Sequence, residues 1–275
     1  MSWSRRRRVS RPIEALVALT LLTTSGVGLL HGQAQQGAPG SGMVLRLVAK
    51  IQSRGPHDAG AFTQGLVWRE GDLFESTGLY GESSLRELDS FDGSVSRRHD
   101  LEDRLFGEGL AMVGDRLIQL TWREGQAIAY DLETFRELER FEYRGEGWGL
   151  CFDGHRLVMS DGTPTITFRD PKTFELLEQI RVTLDSRPVG LLNELECAEG
   201  WIYANVLGRD SILRIDPANG EVVAVIDASH LYPPQSRDSD AVLNGIAYDA
   251  ERETFYLTGK LWPEIFEVVF VPPGS

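Results

Sequence analysis

The chain is short of cysteine and of basic residues, and both shortages limit what it can be. Its 275 residues include only 2 Cys, too few for a disulfide framework or a structural zinc site. Lys and Arg together number 28 against 41 Asp and Glu, which gives a net charge of −13. Nucleic-acid binding requires a concentrated positive surface. We therefore expect no nucleic-acid partner.

Residues 1–34 have the composition of an export signal. Arginines at positions 5–8 and 11 precede an apolar stretch at 13–30, and small and polar residues follow it. An uncleaved membrane anchor is the alternative, because the stretch approaches spanning length. Its Thr, Ser and Gly residues favour a cleaved signal instead. We expect a signal peptide at 1–34, a disordered linker at 35–42 and an exported domain, periplasmic or secreted, at 43–275.

Five segments of that domain repeat one pattern. Each has a polar or aromatic residue, then usually a glycine, then two short strands separated by a turn. The Gly positions are 44, 40, 45 and 51 residues apart, a spacing typical of propeller blades. The residues that open the five segments are Gln64, Glu108, Trp148, Asn193 and Asn244.

Each segment continues into further strands. A third strand follows in every copy, and in four copies it reaches an Asp that begins a turn: Asp89, Asp131, Asp170 and Asp216. Those four copies also have a fourth strand, whereas the fifth stops after its third. An unassigned strand at 43–53 can complete the fifth copy. We therefore predict an all-β fold, a five-bladed β-propeller in which the N-terminal strand closes the last blade and hides both edges.

This arrangement predicts where a site can form. The first strand of each blade runs along the central channel, so the five opening residues converge at one mouth. Two interpretations remain open from the residues alone. They form a binding pocket, or they line a channel and hold ordered water.

The two cysteines lie on the first strands of neighbouring blades. Cys151 and Cys197 stand two and three residues after the Gly position of their segments. Successive side chains of a strand point to opposite faces, so the offsets predict opposite orientations. We expect no disulfide, despite the oxidising compartment in which one would persist.

Seven motifs, in order and at near-family spacing, resemble the glutaminyl-peptide cyclotransferases of plant and bacterial type. They are FTQGL (62–66), LFESTGLYG (73–81), FGEGL (106–110), LTW (120–122), GWGL (147–150), LNELE (192–196) and TGKLWP (258–263). The resemblance spans about residues 62–270. It implies a five-bladed propeller that converts the N-terminal Gln of peptides or proteins to pyroglutamate with release of ammonia. It implies no metal or cofactor, and the histidines at 57, 99, 155 and 230 show no metal-ligand spacing.

The resemblance also implies roles for particular residues. Glu108 matches the general acid/base, and Lys260 matches a residue that polarises the amide or tunes Glu108. Gln64 and Asn193 match positions that hydrogen-bond the substrate. An aromatic lining would grip the apolar stem of the substrate Gln: Phe62, Phe106, Trp122 and Trp148. In contrast, we interpret the ESTG segment at 75–78 as a structural strand end and turn.

The sequence departs from the family pattern at one position. Family members often carry a Trp shortly after LNELE, where this chain has Leu207, which offers no ring face or indole N–H. The substitution affects the expected shape and affinity of the pocket, but leaves the acid/base chemistry in place.

Two other functions fit parts of the pattern. A calcium-dependent, lactonase-like propeller hydrolase would use Glu108, Asn193 and Asn244 as oxygen ligands, although a cation beside Lys260 is electrostatically unfavourable. A non-catalytic propeller would bind peptides on its acidic surface. We expect a monomer, since a closed propeller needs no partner, and no stable membrane association after signal cleavage.

Overall fold

The computed structural model describes residues 43–89, 92–232 and 238–275. The predicted signal peptide and linker at 1–42 lie outside these residues. Within them there are 22 strands and no α-helix, which confirms the all-β prediction. The described part of the chain accordingly contains no helix that could cross a membrane.

Most strands belong to antiparallel groups of four in chain order. Three such groups are separate sheets. The first consists of β2 (Thr63–Arg69), β3 (Asp72–Thr77), β4 (Ser84–Asp89) and β5 (Val95–Asp100). The second consists of β6 (Gly107–Val113), β7 (Arg116–Thr121), β8 (Gln126–Asp131) and β9 (Glu137–Glu142). The third consists of β10 (Leu150–Phe152), β11 (Leu157–Met159), β12 (Thr165–Arg169) and β13 (Leu176–Arg181).

The fourth and fifth groups are joined through the N-terminal strand. The fourth consists of β16 (Leu192–Ala198), β17 (Trp201–Val206), β18 (Ser211–Ile215) and β19 (Val222–Asp227). The fifth consists of β20 (Leu243–Asp249), β21 (Thr254–Gly259), β22 (Glu264–Val271) and β1 (Leu45–Pro56). Because β1 pairs antiparallel with β22 and parallel with β19, the two groups form one eight-stranded sheet. A short hairpin of β14 (Thr183–Leu184) and β15 (Arg187–Pro188) precedes the fourth group.

Hydrophobic side chains fill the spaces between neighbouring groups. Each cluster of buried side chains in the described chain draws on two groups, and together the clusters link the first group to the second and onward until the fifth meets the first. Strand β7 illustrates how one strand contributes side chains to two clusters. Consecutive side chains point to opposite faces, so Leu117 packs against the first group and Ile118 against the third. Burial of each such side chain stabilises the fold by about 1.5–3 kcal/mol.

The first strands of the groups contact one another in a closed cycle, from β2 through β6, β10, β16 and β20 back to β2. Glycine makes this close approach possible. A Cβ on Gly149 would collide with the carbonyl oxygen of Asn193 on the neighbouring strand. The same approach lets Gly109 N donate a hydrogen bond to Trp148 O at 2.8 Å. Packing between neighbouring first strands therefore requires the glycines at 65, 109 and 149, whereas Glu194 stands at the equivalent position of the fourth segment.

The predicted Asp turns are confirmed. The side chain of Asp131 accepts a hydrogen bond from Thr134 N at 3.0 Å, and that of Asp170 accepts one from Thr173 N at 2.9 Å. Asp216 accepts from Ala218 N at 2.9 Å in the same way. A carboxylate that caps its own turn fixes the reversal between the third and fourth strands.

The prediction that the cysteines remain apart is wrong, because Cys151 and Cys197 form a disulfide with Cα atoms 5.5 Å apart. Strand parity relates side chains within one sheet only. The two cysteines lie instead in neighbouring groups packed face to face, where side chains of opposite orientation are those that meet. Both cysteines belong to the hydrophobic cluster between the third and fourth groups.

Candidate active site

One small cavity is lined by all eight residues to which the family resemblance assigns a role in the site. Its volume is about 280 Å³, near the lower end of the range for ligand pockets, about 300 Å³. The cavity suits a single side chain better than a large cofactor. Its lining consists of Phe62, Gln64, Leu79, Phe106, Glu108, Trp122, Trp148, Asn193, Leu207 and Lys260.

The polar lining comes from irregular points in the first strands. The pairing of β2 with β3 shifts by one residue between Thr63 and Gly65, and β6 shifts against β7 between Gly107 and Leu110. Strands β16 and β20 shift at the equivalent places. Such bulges re-aim a side chain that would otherwise follow the regular alternation. The shifts include the positions of Gln64, Glu108, Asn193 and Asn244.

A chain of hydrogen bonds orients the amide and carboxyl groups. Gln64 Nε2 donates to Glu108 Oε1 at 3.0 Å, and Gln64 Oε1 accepts from Asn244 Nδ2 at 3.2 Å. Asn244 Nδ2 also donates to the carbonyl oxygen of Thr63 at 2.9 Å. Asn244 thus fixes the orientation of Gln64, although it does not line the cavity itself.

Burial dominates the electrostatics of the two charged residues. Glu108 is 4% exposed, and burial raises its pKa well above the ordinary value. The ammonium of Lys260 opposes this rise in pKa, whereas the nearby charges of Glu146 and Glu124 add to it. Burial also lowers the pKa of Lys260, against the opposing charges of Glu108 and Asp240. The cavity therefore contains an acid and a base whose pKa values are drawn toward each other.

Aromatic side chains form one side of the cavity. The ring of Phe106 lies 5.4 Å from that of Trp122 and 6.3 Å from that of Phe62, measured between ring centres. Lys260 Nζ lies 4.6 Å from the centre of the Phe62 ring, a cation–π contact. Gly78 leaves space for this wall, because a Cβ there would collide with Phe106.

Other features place the remaining lining residues. Asn193 lies within the register shift of β16, and its carbonyl oxygen accepts a hydrogen bond from Ser160 Oγ at 2.7 Å. Leu207 directly follows β17, and its N–H donates to Leu191 O at 2.8 Å. The side chain at 207 lies in the cavity wall, where the family Trp is expected.

Sequence reasoning missed two contributors to this site. Leu79 lines the cavity with a left-handed backbone conformation, at φ 85°. Glu146 accepts hydrogen bonds from both indoles of the wall. Each lies within or directly beside a quoted motif, LFESTGLYG and GWGL. Their positions within or beside these motifs could have identified both residues from the sequence.

A larger cavity of about 950 Å³ contains none of the predicted residues. It lies between the fifth and first groups, and its lining includes Trp68, Arg252, Tyr256 and Glu267. Arg252 there pairs with Glu267 at 2.8 Å. Among the described residues, no group of three or more His, Cys, Asp or Glu is arranged to hold a metal ion.

Comparisons with known proteins agree with the motifs. The sequence model of the glutamine cyclotransferase family matches residues 22–270. Glutaminyl-peptide cyclotransferase of Arabidopsis thaliana is 37% identical over an alignment of 275 positions. The alignment covers 96% of this chain and 86% of that protein. The crystal structure of Myxococcus xanthus glutaminyl cyclase matches with 43% identity and a TM-score of 0.78, covering 83% of this chain and 98% of that chain. The chain belongs to the glutamine cyclotransferase family.

Proposed function

We propose that the chain is a glutaminyl-peptide cyclotransferase, which converts the N-terminal Gln of peptides or proteins to pyroglutamate and releases ammonia. Family membership supports the activity. One observation supports the site most strongly. A buried carboxyl of raised pKa is hydrogen-bonded to an amide, inside a small cavity with an aromatic wall.

We infer that the fold is a five-bladed propeller. The closed cycle of first strands and the clusters between successive groups support five blades around one axis. In this interpretation β1 is the outer strand of the fifth blade. Its parallel pairing with β19 joins the fourth and fifth blades into the eight-stranded sheet.

The reaction is an intramolecular aminolysis in which the substrate supplies the nucleophile. The α-amine attacks the γ-carboxamide carbon, a lactam C–N bond forms, and the bond to the departing nitrogen breaks. Glu108 takes a proton from the attacking amine and delivers one to the departing nitrogen, so ammonia leaves and Glu108 returns to its starting state. A raised pKa suits this work, because the group must both accept and donate a proton near neutral pH.

The other lining residues hold the reacting geometry. Gln64 and Asn193 offer neutral amides that hydrogen-bond the substrate without trapping its amine as an ammonium. Lys260 places positive charge where the γ-carbonyl oxygen becomes negative, and it opposes the rise in the pKa of Glu108. The rings of Phe62, Phe106, Trp122 and Trp148 pack against the substrate's methylenes and exclude water from the cavity.

Three further features belong to the same proposal. The reaction proceeds without metal or cofactor. Residues 1–34 direct export to the periplasm or exterior, so the substrates are extracytoplasmic peptides or proteins. The mature protein acts as a monomer, which size-exclusion chromatography with light scattering would test.

The first experiment measures ammonia release by the purified protein from Gln-Ala, with and without EDTA. We expect one ammonia per pyroglutamyl product, no effect of EDTA and no release from Asn-Ala. Loss of activity with EDTA would contradict metal independence and favour the calcium-dependent hydrolase. If the folded protein binds several Gln peptides without releasing ammonia, the enzymatic proposal is wrong and a peptide-binding propeller remains.

A further inference from the structure

The carboxylate of Glu146 joins the two indoles of the cavity wall. Its Oε2 accepts a hydrogen bond from Trp122 Nε1 at 2.8 Å and another from Trp148 Nε1 at 3.0 Å. Its Oε1 accepts from Arg123 Nε at 3.1 Å, and Arg123 Cζ lies 3.7 Å from the centre of the Trp122 ring. Since Trp122 follows β7 and Trp148 precedes β10, one carboxylate ties together two neighbouring strand groups.

The backbone holds Glu146 in place for this task. The N–H of Gly147, the next residue, donates to Trp122 O at 2.9 Å. A Cβ at Gly147 would collide with the hydroxyl of Tyr143, which itself donates to Thr121 O. The hydrogen bond from Gly147 attaches the loop before β10 to the end of β7. The absence of a Cβ at Gly147 allows the loop to lie close to Tyr143 and Thr121.

The hydrogen bonds of Glu146 determine what the indoles offer. Ionised acceptors form stronger hydrogen bonds than neutral ones. The hydrogen bond from Trp148 is the largest cause that lowers the pKa of Glu146, so the carboxylate stays ionised. Both indole N–H groups are directed at it, and the rings of Trp122 and Trp148 are left to offer their carbon surfaces to the cavity.

We propose that Glu146 is a positioning residue of the cyclisation site, which sets the ring planes of Trp122 and Trp148 against the apolar stem of the substrate Gln. This inference rests on the proposed function and gives Glu146 no contact with the reacting atoms. The rings pack against the stem both before and during the reaction. Loss of their orientation therefore raises KM and leaves kcat nearly unchanged.

Substitutions at position 146 separate the two properties of the carboxylate. Glu146→Gln keeps a carbonyl oxygen for both indoles and loses the charge, and the half-exposed Arg123 can turn away from the new amide. Glu146→Asp keeps the charge, but its carboxylate is one methylene short of the indoles. Glu146→Ala removes both properties. We expect KM to rise about tenfold in the Asp and Ala variants and to change less than about threefold in the Gln variant.

Near-ultraviolet circular dichroism provides a readout that needs no turnover. The Asp and Ala variants are expected to lose part of the tryptophan signal that the Gln variant keeps. A merely structural role would lower the active fraction, and hence the apparent kcat, at unchanged KM. Glu142→Ala, at an exposed position on β9, is the control and should match the wild type in both readouts.

Two results would overturn the inference. One is a wild-type KM and dichroism in the Asp variant. The other is a Gln variant as impaired as the Ala variant in both KM and dichroism, because the Gln variant keeps the acceptor oxygen through which Glu146 is inferred to orient the indoles. If the wild type itself releases no ammonia, the proposed function fails, and the dichroism of the Asp and Gln variants still tests whether Glu146 orients the rings.

Discussion

Glu108 and Glu75 are both buried carboxylates, in neighbouring strand groups, yet their surroundings differ in kind. Glu75 Oε1 accepts hydrogen bonds from Thr63 Oγ1 at 2.6 Å and pairs with His57 Nε2 at 3.1 Å, and Oε2 pairs with Arg86. Glu108 has a hydrogen bond from one neutral amide, that of Gln64. The first carboxylate is surrounded by cationic partners, and the second faces a cavity.

The pKa values follow from these partners and not from burial alone. Burial acts to raise the pKa of Glu75, but His57, Arg86 and Thr63 outweigh it and lower the pKa to about 2. Burial likewise acts to lower the pKa of His57, and Glu75 with the carbonyl of Trp262 outweighs it, so that pKa is raised. In Glu108 burial prevails and the pKa rises. Glu75 therefore stays ionised and stabilises the fold, whereas the raised pKa of Glu108 suits it to exchange a proton.

The largest expected effect is on catalysis, in Glu108→Gln. This variant keeps the shape and removes the group that carries the proton, so kcat should fall by about 10²–10⁴-fold. A carboxyl whose pKa is raised on folding costs stability as pH rises above its unfolded value. The variant should therefore be at least as stable as the wild type at pH 8. Ammonia release and thermal unfolding measure the two effects, and a variant of full activity would contradict the role of Glu108.

Glu75→Gln is expected to lower the stability of the fold and to leave catalysis largely intact. Removing this charge leaves His57 and Arg86 buried without the carboxylate that they share, although Arg86 keeps its pair with the half-exposed Asp58. The free energy of unfolding should therefore fall by about 3 kcal/mol, the lower end of the range for breaking a buried pair. The folded fraction should retain most of its kcat. Urea unfolding measures the loss. Glu87→Gln, which breaks a partly exposed pair with Arg97, is the matched control and should cost less than about 1 kcal/mol.

The same contrast predicts a dependence on pH. Because the folded pKa of Glu75 is lowered from 4.5 to about 2, its stabilising contribution is complete above pH 4.5 and is lost as pH falls toward 2. The wild type should therefore lose stability across that window. The Glu75→Gln variant should lose less, so the two unfolding free energies should converge on acidification. Parallel curves would show that Glu75 is not the group that titrates.

The charge of Lys260 provides a further test of what sets the pKa of Glu108. Lys260→Met removes the positive charge that opposes the raised pKa of Glu108, so the acid limb of the kcat/KM profile should move to higher pH. At neutral pH, kcat should fall by about 10²-fold, because the developing oxyanion loses its charged partner. Lys50→Met, on β1, is the control and should leave the profile unchanged. An unmoved acid limb would show that Lys260 does not act on Glu108.

The sequence predicted more of the strands than of the contacts between them. Turn residues and apolar runs are local signals, and they located the four-stranded groups and the Asp turns. The disulfide was missed because it depends on which faces of neighbouring groups meet, and strand parity does not contain that relation. Glu146 was missed for a similar reason, since its two indole partners are brought together only by the packing of two groups.

The same distinction applies to Glu75 and Glu108. The ESTG motif was interpreted as a strand end, and β3 does end at Thr77. The partners of Glu75 come from another strand and from the segment before β2, so its charge network was not visible in the motif. Glu108 was found because the repeat places it among the five opening residues and because the FGEGL motif resembles the family's acid/base position. Its role as acid/base stays a prediction, as do the roles of Lys260 and the other lining residues.

The smallest expected effect concerns Leu207, where the family pattern carries a Trp. Leu207→Trp adds a ring face to the cavity wall and introduces no charge, so it should strengthen substrate binding and leave proton transfer alone. An aromatic contact contributes about 0.5–1.5 kcal/mol beyond buried area, which corresponds to a KM lowered about 2- to 10-fold at similar kcat. Leu191→Trp, at a half-exposed neighbouring position, controls for a general gain from a surface indole. A raised KM would mean that the cavity has closed around the smaller side chain, and that this chain's pocket has diverged in shape from the family pattern while keeping the buried carboxyl.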